Sequence, residues 1–348
     1  MDKSNEAREG AHQVQEVTHA ATPSPTARAA EPALPGRRRS VTEGLESAAP
    51  NLPAQIWTDD RSEASGERRP ARPREVHEVT NVGAPSLWRT PDLSARWWPV
   101  FMRNLLVWRK LAIPSLVGNI AEPLMWLVAF GYGMGALVGE VSVRGGAKIP
   151  YILFLASGSI CMSAMNAASF EALYSAFSRM HVQKTWDGIM NAPVSLDSVL
   201  LAEMLWAAFK ALFTVTAILG VMLALGISHS PKLLLAWPIL LLVGMMFSCI
   251  ALIFNALAKG YDFFTYYFTL VLTPMMFLSG IFFPREQLPM VVRIISDWLP
   301  LTNAVEIIRP MFMDQWPASP WRHGLVLVGY TVAAFWVALA LTRRRFRA

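Results

Sequence analysis

Apolar residues are concentrated in six long runs beyond residue 110, and few polar positions interrupt them. Each run reaches about 20 residues, the length that an α-helix needs to cross the hydrocarbon core of a bilayer. The pattern therefore predicts an all-α polytopic membrane protein with six transmembrane helices. Their approximate ranges are 114–138, 149–168, 199–227, 233–258, 263–283 and 323–341.

The first 95 residues are rich in Ala, Pro, Ser, Glu and Arg and show no apolar periodicity. Such a segment cannot bury enough surface to offset its chain entropy, so we predict a disordered cytosolic tail at 1–95 and a transmembrane domain at 96–348. Residues 1–90 contain 12 of the 31 basic and 13 of the 25 acidic residues. The body is therefore poor in charge, which excludes a soluble enzyme, a secreted disulfide scaffold and a nucleic-acid binder.

Basic residues in the short loops predict the orientation of the helices, because such loops stay in the cytosol. Arg103, Arg109 and Lys110 precede the first run, and four arginines at 343–347 follow the last one. The loop after the second run adds Arg179 and Lys184. We therefore predict a multi-pass protein with both termini in the cytosol.

Two segments on the predicted cytosolic side differ from plain loops. In 99–111, apolar residues recur at helical spacing with Arg103 and Lys110 on another face, which favours an interfacial helix over an extension of the first span. The second segment follows the second span, which we expect to continue through Glu171 and Arg179. It combines Arg179, His181, Lys184, Trp186 and Asp187, and it is either a docking element for a soluble partner or an ordinary solvated loop.

The predicted external connection, 284–321, is too long and too apolar for a turn. Prolines divide it, and we predict two short helices within 285–313 that dip into the outer leaflet. Glu306 and Arg309 lie one turn apart in the second helix. They are candidates for a cavity-lining external gate, since backbone at membrane depth must be covered by protein or line a cavity.

A few polar and aromatic residues in the spans are candidates for a substrate path, because ionisable groups in a membrane are costly and often functional. Glu203 and Lys210 lie two turns apart near the cytosolic end of the third span, where structural pairing or snorkelling is the alternative. An aromatic belt is the alternative to sugar stacking for the tyrosines. The candidates are Asn119, Glu122, Glu203, Lys210, Tyr266 and Tyr267.

Motifs for catalysis, nucleotide binding and metal binding are absent from the sequence. There is no phosphate-binding GxxxxGK[ST] loop and no HExxH, GxSxG or paired-carboxylate cluster in the body. Cys161 and Cys249 lie in apolar runs without a nearby partner and are interpreted as small core residues. We therefore assign no catalytic or metal site to this chain.

Five segments resemble the ABC-2 type transporter permeases, and most closely the lipo-oligosaccharide-exporting, nodulation protein J-like branch of that family. They are Arg103–Lys110 (RNLLVWRK), Gly118–Pro123 (GNIAEP), Ser169–Ala211, Leu278–Pro289 (LSGIFFPREQLP) and Trp298–Pro310 (WLPLTNAVEIIRP). The resemblance extends over roughly residues 96–348, whereas the tail has no counterpart in the family.

The resemblance implies a six-helix permease with the ABC-2 exporter fold, which forms a homodimer in the lipid of the bacterial inner membrane. It implies an elbow helix at 99–111, a coupling element around 179–191 and external helices at 285–313. A separate, nodulation protein I-like ATPase subunit would bind ATP and Mg. The implied substrate is a lipo-oligosaccharide such as a nodulation factor, and nucleic acid is not expected as a partner.

Other functions remain open at this point. Related permeases export drugs or polysaccharides. A secondary transporter would need ionisable groups near the membrane midplane, and a membrane-embedded transferase would need a catalytic cluster at one interface. For the second class, Glu306 and Arg309 are the only external candidates, and their spacing suits a salt bridge.

Overall fold

The computed structural model describes residues 86–143 and 147–347, and these residues form a bundle of long helices with one small hairpin. The predicted tail therefore lies outside the described residues, except for 86–95. The helices are α1 (Trp97–Trp108), α2 (Ala112–Trp126), α3 (Gly135–Val138), α4 (Tyr151–Phe170), α5 (Thr185–Met190), α6 (Leu196–Ala224), α7 (Ala236–Leu257), α8 (Phe264–Tyr267), α9 (Thr273–Leu278), α10 (Met290–Trp298), α11 (Pro300–Phe312) and α12 (Pro320–Arg345).

Short 3₁₀ and π-helical turns extend or join several of these helices. The 3₁₀ turns are Arg109–Leu111, Pro231–Leu235, Tyr261–Phe263 and Arg285–Gln287. The π turns are Leu127–Met134, Glu171–Ser175, Ser178–Val182 and Phe268–Leu272. Strands β1 (Glu140–Ser142) and β2 (Lys148–Pro150) pair antiparallel, with Val141 opposite Ile149. We call the end of the bundle that carries α1 and α5 the terminal end, and the opposite end the hairpin end.

Five helical stretches in the described part of the chain are long and apolar enough to cross a membrane. They are Val117–Val138, Tyr151–Val182, Leu196–Ala224, Pro231–Leu257 and Pro320–Arg345. The chain is thus an all-α membrane protein, as the apolar runs predict, although the count of six spans is not reproduced in full.

The predicted fifth span, 263–283, ends earlier than its apolar pattern suggests. Its helical turns run from Tyr261 to Leu278, which is about 27 Å at the rise of an α-helix. Gly280 then adopts a left-handed conformation (φ 71°), which ends helices and which suits glycine best. The apolar residues 281–283 belong to the following turn, so hydropathy alone overestimates the helix.

The second membrane helix lies at the centre of the bundle, and the first lies at its surface. In the most apolar window of Tyr151–Val182, 78% of the residues are buried, against 17% in Val117–Val138. Helix α4 packs against α6, α7 and α11, whereas α12 packs mainly on α7. The hydroxyls of Ser157, Ser159 and Ser163 in α4 donate to carbonyls of the same helix, as Ser163 Oγ does to Ser159 O (2.8 Å), which satisfies them inside an apolar core.

Helices α6 and α7 approach closely at Gly244. A Cβ atom placed on Gly244 would lie 3.1 Å from Ala208 Cα and 3.3 Å from the Ala208 carbonyl oxygen. Small residues at such crossings allow membrane helices to gain van der Waals contact, because lipid provides no hydrophobic force between them.

We therefore expect Gly244→Val to destabilise the protein by about 1–3 kcal/mol, since the new side chain forces two backbones apart. Thermal unfolding in detergent micelles measures the loss. Gly220→Val in α6 is the matched control, because open space surrounds Gly220. Equal melting temperatures for the two variants would contradict the close crossing.

Candidate coupling site and transport path

The terminal end is built by a long helix that reverses into a short one. The helical run of α4 continues through its π turns to Val182, and the chain then reverses at Lys184, which has a left-handed backbone (φ 52°). Helix α5 follows, and α6 begins after Ser195, whose Oγ accepts a hydrogen bond from the Ser198 amide (3.3 Å). We refer to residues 179–191 as the coupling segment, after the role that its sequence predicts.

Two buried carboxylates hold this end together. Glu203 of α6 accepts hydrogen bonds from Arg179 Nη2 (2.5 Å) and Nε (3.0 Å). Glu171 also accepts from Arg179 Nη2 (3.0 Å) and is paired with Lys210 Nζ (2.8 Å). Arg179 thus bridges both carboxylates, and all four residues form what we call the charge network.

Two indole groups complete the hydrogen bonding of the charge network. Trp186 Nε1 of the coupling segment donates to Glu203 Oε1 (3.2 Å), and Trp206 Nε1 donates to Glu171 Oε1 (2.8 Å). Asn104 of α1 adds a longer contact to Glu203 (3.4 Å). The network therefore connects α1, the extended α4 run, the coupling segment and α6. Buried charges persist only when they are paired and hydrogen-bonded in this way.

The predicted coupling residues separate into an outer and an inner group. His181, Lys184 and Asp187 are exposed, as a docking element requires. Trp186, in contrast, is buried and stacks on Phe346 with ring centroids 6.1 Å apart. Arg179 is also mostly enclosed, because both carboxylates of the network hold it. These two residues therefore position the coupling segment and do not form its outer surface.

The C-terminal arginines pack against the same end. Arg343 pairs with buried Asp197 at the start of α6 (Nη2 to Oδ2, 2.5 Å) and donates to the carbonyls of Leu87 and Arg89. Arg345 donates to the Asn255 carbonyl (2.8 Å). Residues 86–95, which the sequence assigned to the tail, are therefore in contact with the body. The sequence pattern used these arginines only to predict orientation and did not identify Asp197 as the partner of Arg343.

Glu203 and Lys210, which the sequence proposes for the substrate path, are both members of the charge network. They pair with Arg179 and Glu171 of the preceding helix, not with one another as their spacing suggests. Tyr267 is fully buried, and its hydroxyl is 3.0 Å from Ser169 Oγ, so its ring cannot stack on a sugar in this conformation. Tyr266 is exposed.

Asn119 and Glu122 lie in a polar groove along the exposed first span. Asn119 Nδ2 donates to Thr214 Oγ1 of α6 (3.2 Å), and the carboxylate of Glu122 is exposed. Because Pro123 has no N–H, the Asn119 carbonyl lacks its helical donor. The groove encloses about 250 Å³; its polar groups come from Asn119, Glu122, Ser163, Asn166 and Thr214, and Met162, Ala167 and Phe170 add an apolar wall.

An apolar pocket follows the polar groove along the same span. It encloses about 580 Å³, and its lining is mainly aromatic and aliphatic. Trp126 and Phe130 stack at 5.1 Å, and Tyr151 donates to the Phe282 carbonyl across the pocket (3.1 Å). Pro123 and Trp126 are about one helical turn apart, so a polar and an apolar site adjoin on one face.

The predicted gate residues Glu306 and Arg309 lie in α11 at the hairpin end. Arg309 donates to Gly280 O (2.7 Å) and Ser157 Oγ (3.1 Å) and lies over the Phe154 ring. Burial lowers the pKa of Arg309 to about 10, and the Glu306 carboxylate partly offsets this, so the guanidinium stays charged at neutral pH. Glu306 is 3.4 Å from Arg285 Nε. Both residues thus tie α11 to neighbouring segments.

No group of His, Cys, Asp or Glu side chains in 86–143 or 147–347 is arranged to hold a metal ion. The charged groups at both ends form hydrogen bonds and ion pairs between helices, and the groove and the apolar pocket described above both lie along the first span. This arrangement can position helices and accommodate an amphiphile.

Comparisons with known proteins identify the class of this membrane protein. Residues 96–313 match the model of the ABC-2 type transporter family. The chain therefore belongs to this family, as the sequence resemblance indicates, and it is a membrane permease. Membership implies a partner ATPase of the ABC type.

Several similar curated proteins are rhizobial proteins named Nodulation protein J. The protein from Sinorhizobium fredii is 41% identical over 72% of this chain and 93% of its own length. Those from Rhizobium leguminosarum are 41% identical in biovar viciae and 40% in biovar trifolii. These alignments cover 73% and 75% of this chain and 96% and 97% of the relatives.

We expect Glu203→Gln to destabilise the folded protein by about 3 kcal/mol, because it leaves Arg179 with a single carboxylate in a buried site. Thermal or denaturant unfolding in detergent would measure this change. Asp314→Asn is the control, since Asp314 is exposed and its pair with Lys232 (3.4 Å) is worth about 0–1 kcal/mol. Asn also tolerates the left-handed backbone at position 314. Similar losses in both variants would refute the importance of the charge network.

Proposed function

We propose that this chain is the membrane-spanning half of a bacterial exporter, which moves an amphiphilic lipo-oligosaccharide out of the cytoplasm with energy from a separate ATPase. The observation that carries the proposal is the polar groove beside the apolar pocket on the first span. Sugar hydroxyls suit the amide and carboxylate groups of Asn119, Glu122 and Asn166. An acyl chain suits the aromatic pocket around Trp126 and Phe130.

Two copies of the chain form the transport path in this proposal. The first span is the least buried of the five, and its groove opens at the surface of the single chain. A charged Glu122 facing lipid is unfavourable, whereas a second copy or a water-filled cleft would satisfy it. The partner ATPases bind ATP and Mg, and the permease lies in the inner membrane with its terminal end in the cytosol. The arginines at this end support that orientation.

In this proposal, ATP binding to the ATPases acts on the transport path through the charge network. Closure of the ATPases pushes the exposed residues His181, Lys184 and Asp187. Because Arg179 and Trp186 fasten the coupling segment to Glu203, the movement passes to the α4 run and α6 as rigid bodies. The cleft beside the first span then changes shape, and ATP supplies the difference in affinity between the two states.

The double charge reversal Lys184→Glu with Asp187→Lys should weaken binding of the ATPase subunit about tenfold, because it inverts the charge pattern of the docking surface. Co-purification and ATP hydrolysis of the reconstituted complex measure the effect. The control reversal Glu140→Lys with Lys148→Glu changes two exposed charges at the hairpin end and should have no effect. An intact, fully active complex with the first reversal would exclude these residues as the docking surface.

The cargo is tested in proteoliposomes that contain the permease and its ATPase. We expect ATP-dependent transport of a lipo-oligosaccharide but not of the same oligosaccharide without its acyl group. Trp126→Ala should raise the half-saturating concentration about tenfold. The substitution removes an indole that contacts the acyl chain, and each acyl methylene group that loses this contact costs about 0.8 kcal/mol of binding free energy. Equal transport of the sugar without an acyl group would instead indicate a polysaccharide exporter, and transport without ATP would indicate a secondary transporter.

A further inference from the structure

A cavity lies between α1, the extended α4 run and α6 at the terminal end. It encloses about 410 Å³, and we call it the Arg103 cavity. Its wall combines cationic and aromatic side chains with the outer face of the charge network. The residues that matter here are Arg103, Trp108, Glu171, Tyr174, Lys210 and Tyr261.

The wall of this cavity carries one positive charge in excess. Within the charge network, the carboxylates of Glu171 and Glu203 are balanced by Arg179 and Lys210. Arg103 is then left over, and in the described part of the chain no carboxylate oxygen lies within ion-pair distance of it. Its guanidinium donates only to the neutral Asn104 side chain (Nη1 to Oδ1, 3.1 Å).

The surroundings of Arg103 favour an anionic ligand. Burial lowers the pKa of Arg103, the positive charge of Arg179 lowers it further, and Glu203 partly offsets both effects. An arginine nevertheless stays protonated in proteins, so a partly buried cation persists beside the cavity. An uncompensated charge of this kind is costly, and a bound anion would relieve the cost. Trp108 also lines the cavity, and its Nε1 is buried without a hydrogen-bond acceptor among the described residues.

Apolar residues of α1 and of the 3₁₀ turn that follows it indicate which kind of anion fits the cavity. Leu106, Val107 and Leu111 are exposed, and the last two also line the cavity. Side chains of this type at the start of a membrane helix contact lipid tails. A ligand that carries a phosphate next to two acyl chains would satisfy both the cation and the apolar surface, whereas free phosphate would satisfy only the cation.

We propose that the Arg103 cavity binds the phosphate of an anionic phospholipid, whose acyl chains lie against Val107 and Leu111. The phosphate oxygens accept from Arg103, and the lipid fastens α1 to the charge network. The site is separate from the groove and pocket of the first span. It therefore does not depend on the cargo or on the ATPase.

The test is native mass spectrometry of the full chain released from micelles that contain phosphatidylglycerol or phosphatidylcholine with identical acyl chains. The wild type should retain one phosphatidylglycerol per chain in preference to phosphatidylcholine. Arg103→Gln should lower the retained fraction about tenfold, because the phosphate loses a charge-assisted hydrogen bond; a tenfold change corresponds to about 1.4 kcal/mol. Arg103→Lys keeps the charge and should restore much of the binding, which a loss of folding would not allow.

Arg109→Gln and Lys110→Gln are the matched controls, since both cations are exposed near α1 but do not line the cavity. They should leave lipid retention unchanged. An equal loss in these variants would show general attraction to an anionic surface and overturn the proposal. Displacement of the lipid by millimolar inorganic phosphate, or equal retention of the two lipids, would overturn it as well.

Discussion

The pairing of two buried carboxylates with one arginine is the constraint on which the terminal end of this permease depends. Lipid tails are as apolar as the helix surfaces, so burial alone does not decide how membrane helices are placed relative to one another. Arg179 lies between the buried carboxylates of Glu171 and Glu203, and Lys210 is a second partner of Glu171, as buried charges require. These ion pairs therefore fix the position of the extended α4 run relative to α6 together with the apolar packing of the two helices.

The same pairing determines how a movement of the exposed coupling segment is transmitted to the membrane-spanning helices. Trp186 donates to the Glu203 oxygen that also accepts from Arg179, so α5 cannot tilt without disturbing an ion pair. The stack of Phe346 on Trp186 adds the end of the last helix to this unit. An element that is held on two sides moves as part of a rigid body, which is what transmission over several helical turns requires.

Sequence periodicity predicts the helices well, because their length and polarity are set by the bilayer and not by distant contacts. It fails where the decisive partner is remote in the chain. Glu203 and Lys210 share a face of α6, yet their partners lie in the helix before, and Arg343 meets Asp197 from 146 positions away. The exposed His181 and Lys184 could be anticipated from polarity, whereas the inward orientation of Trp186 depends on Glu203 and could not.

The first span combines the least burial with the lowest mean hydropathy of the five, and these two properties have one explanation. A helix that stayed in contact with lipid would avoid Glu122 and the backbone acceptor freed by Pro123. A helix buried in a fixed core would pair them, as the charge network pairs Glu171. The polar groups of this span are neither buried nor compatible with lipid. Such groups suit a surface that contacts different surroundings in turn, such as a cleft between two subunits that opens and closes. In the proposed mechanism the polar groove therefore lies on the side of the permease that moves, and the charge network on the side that stays rigid.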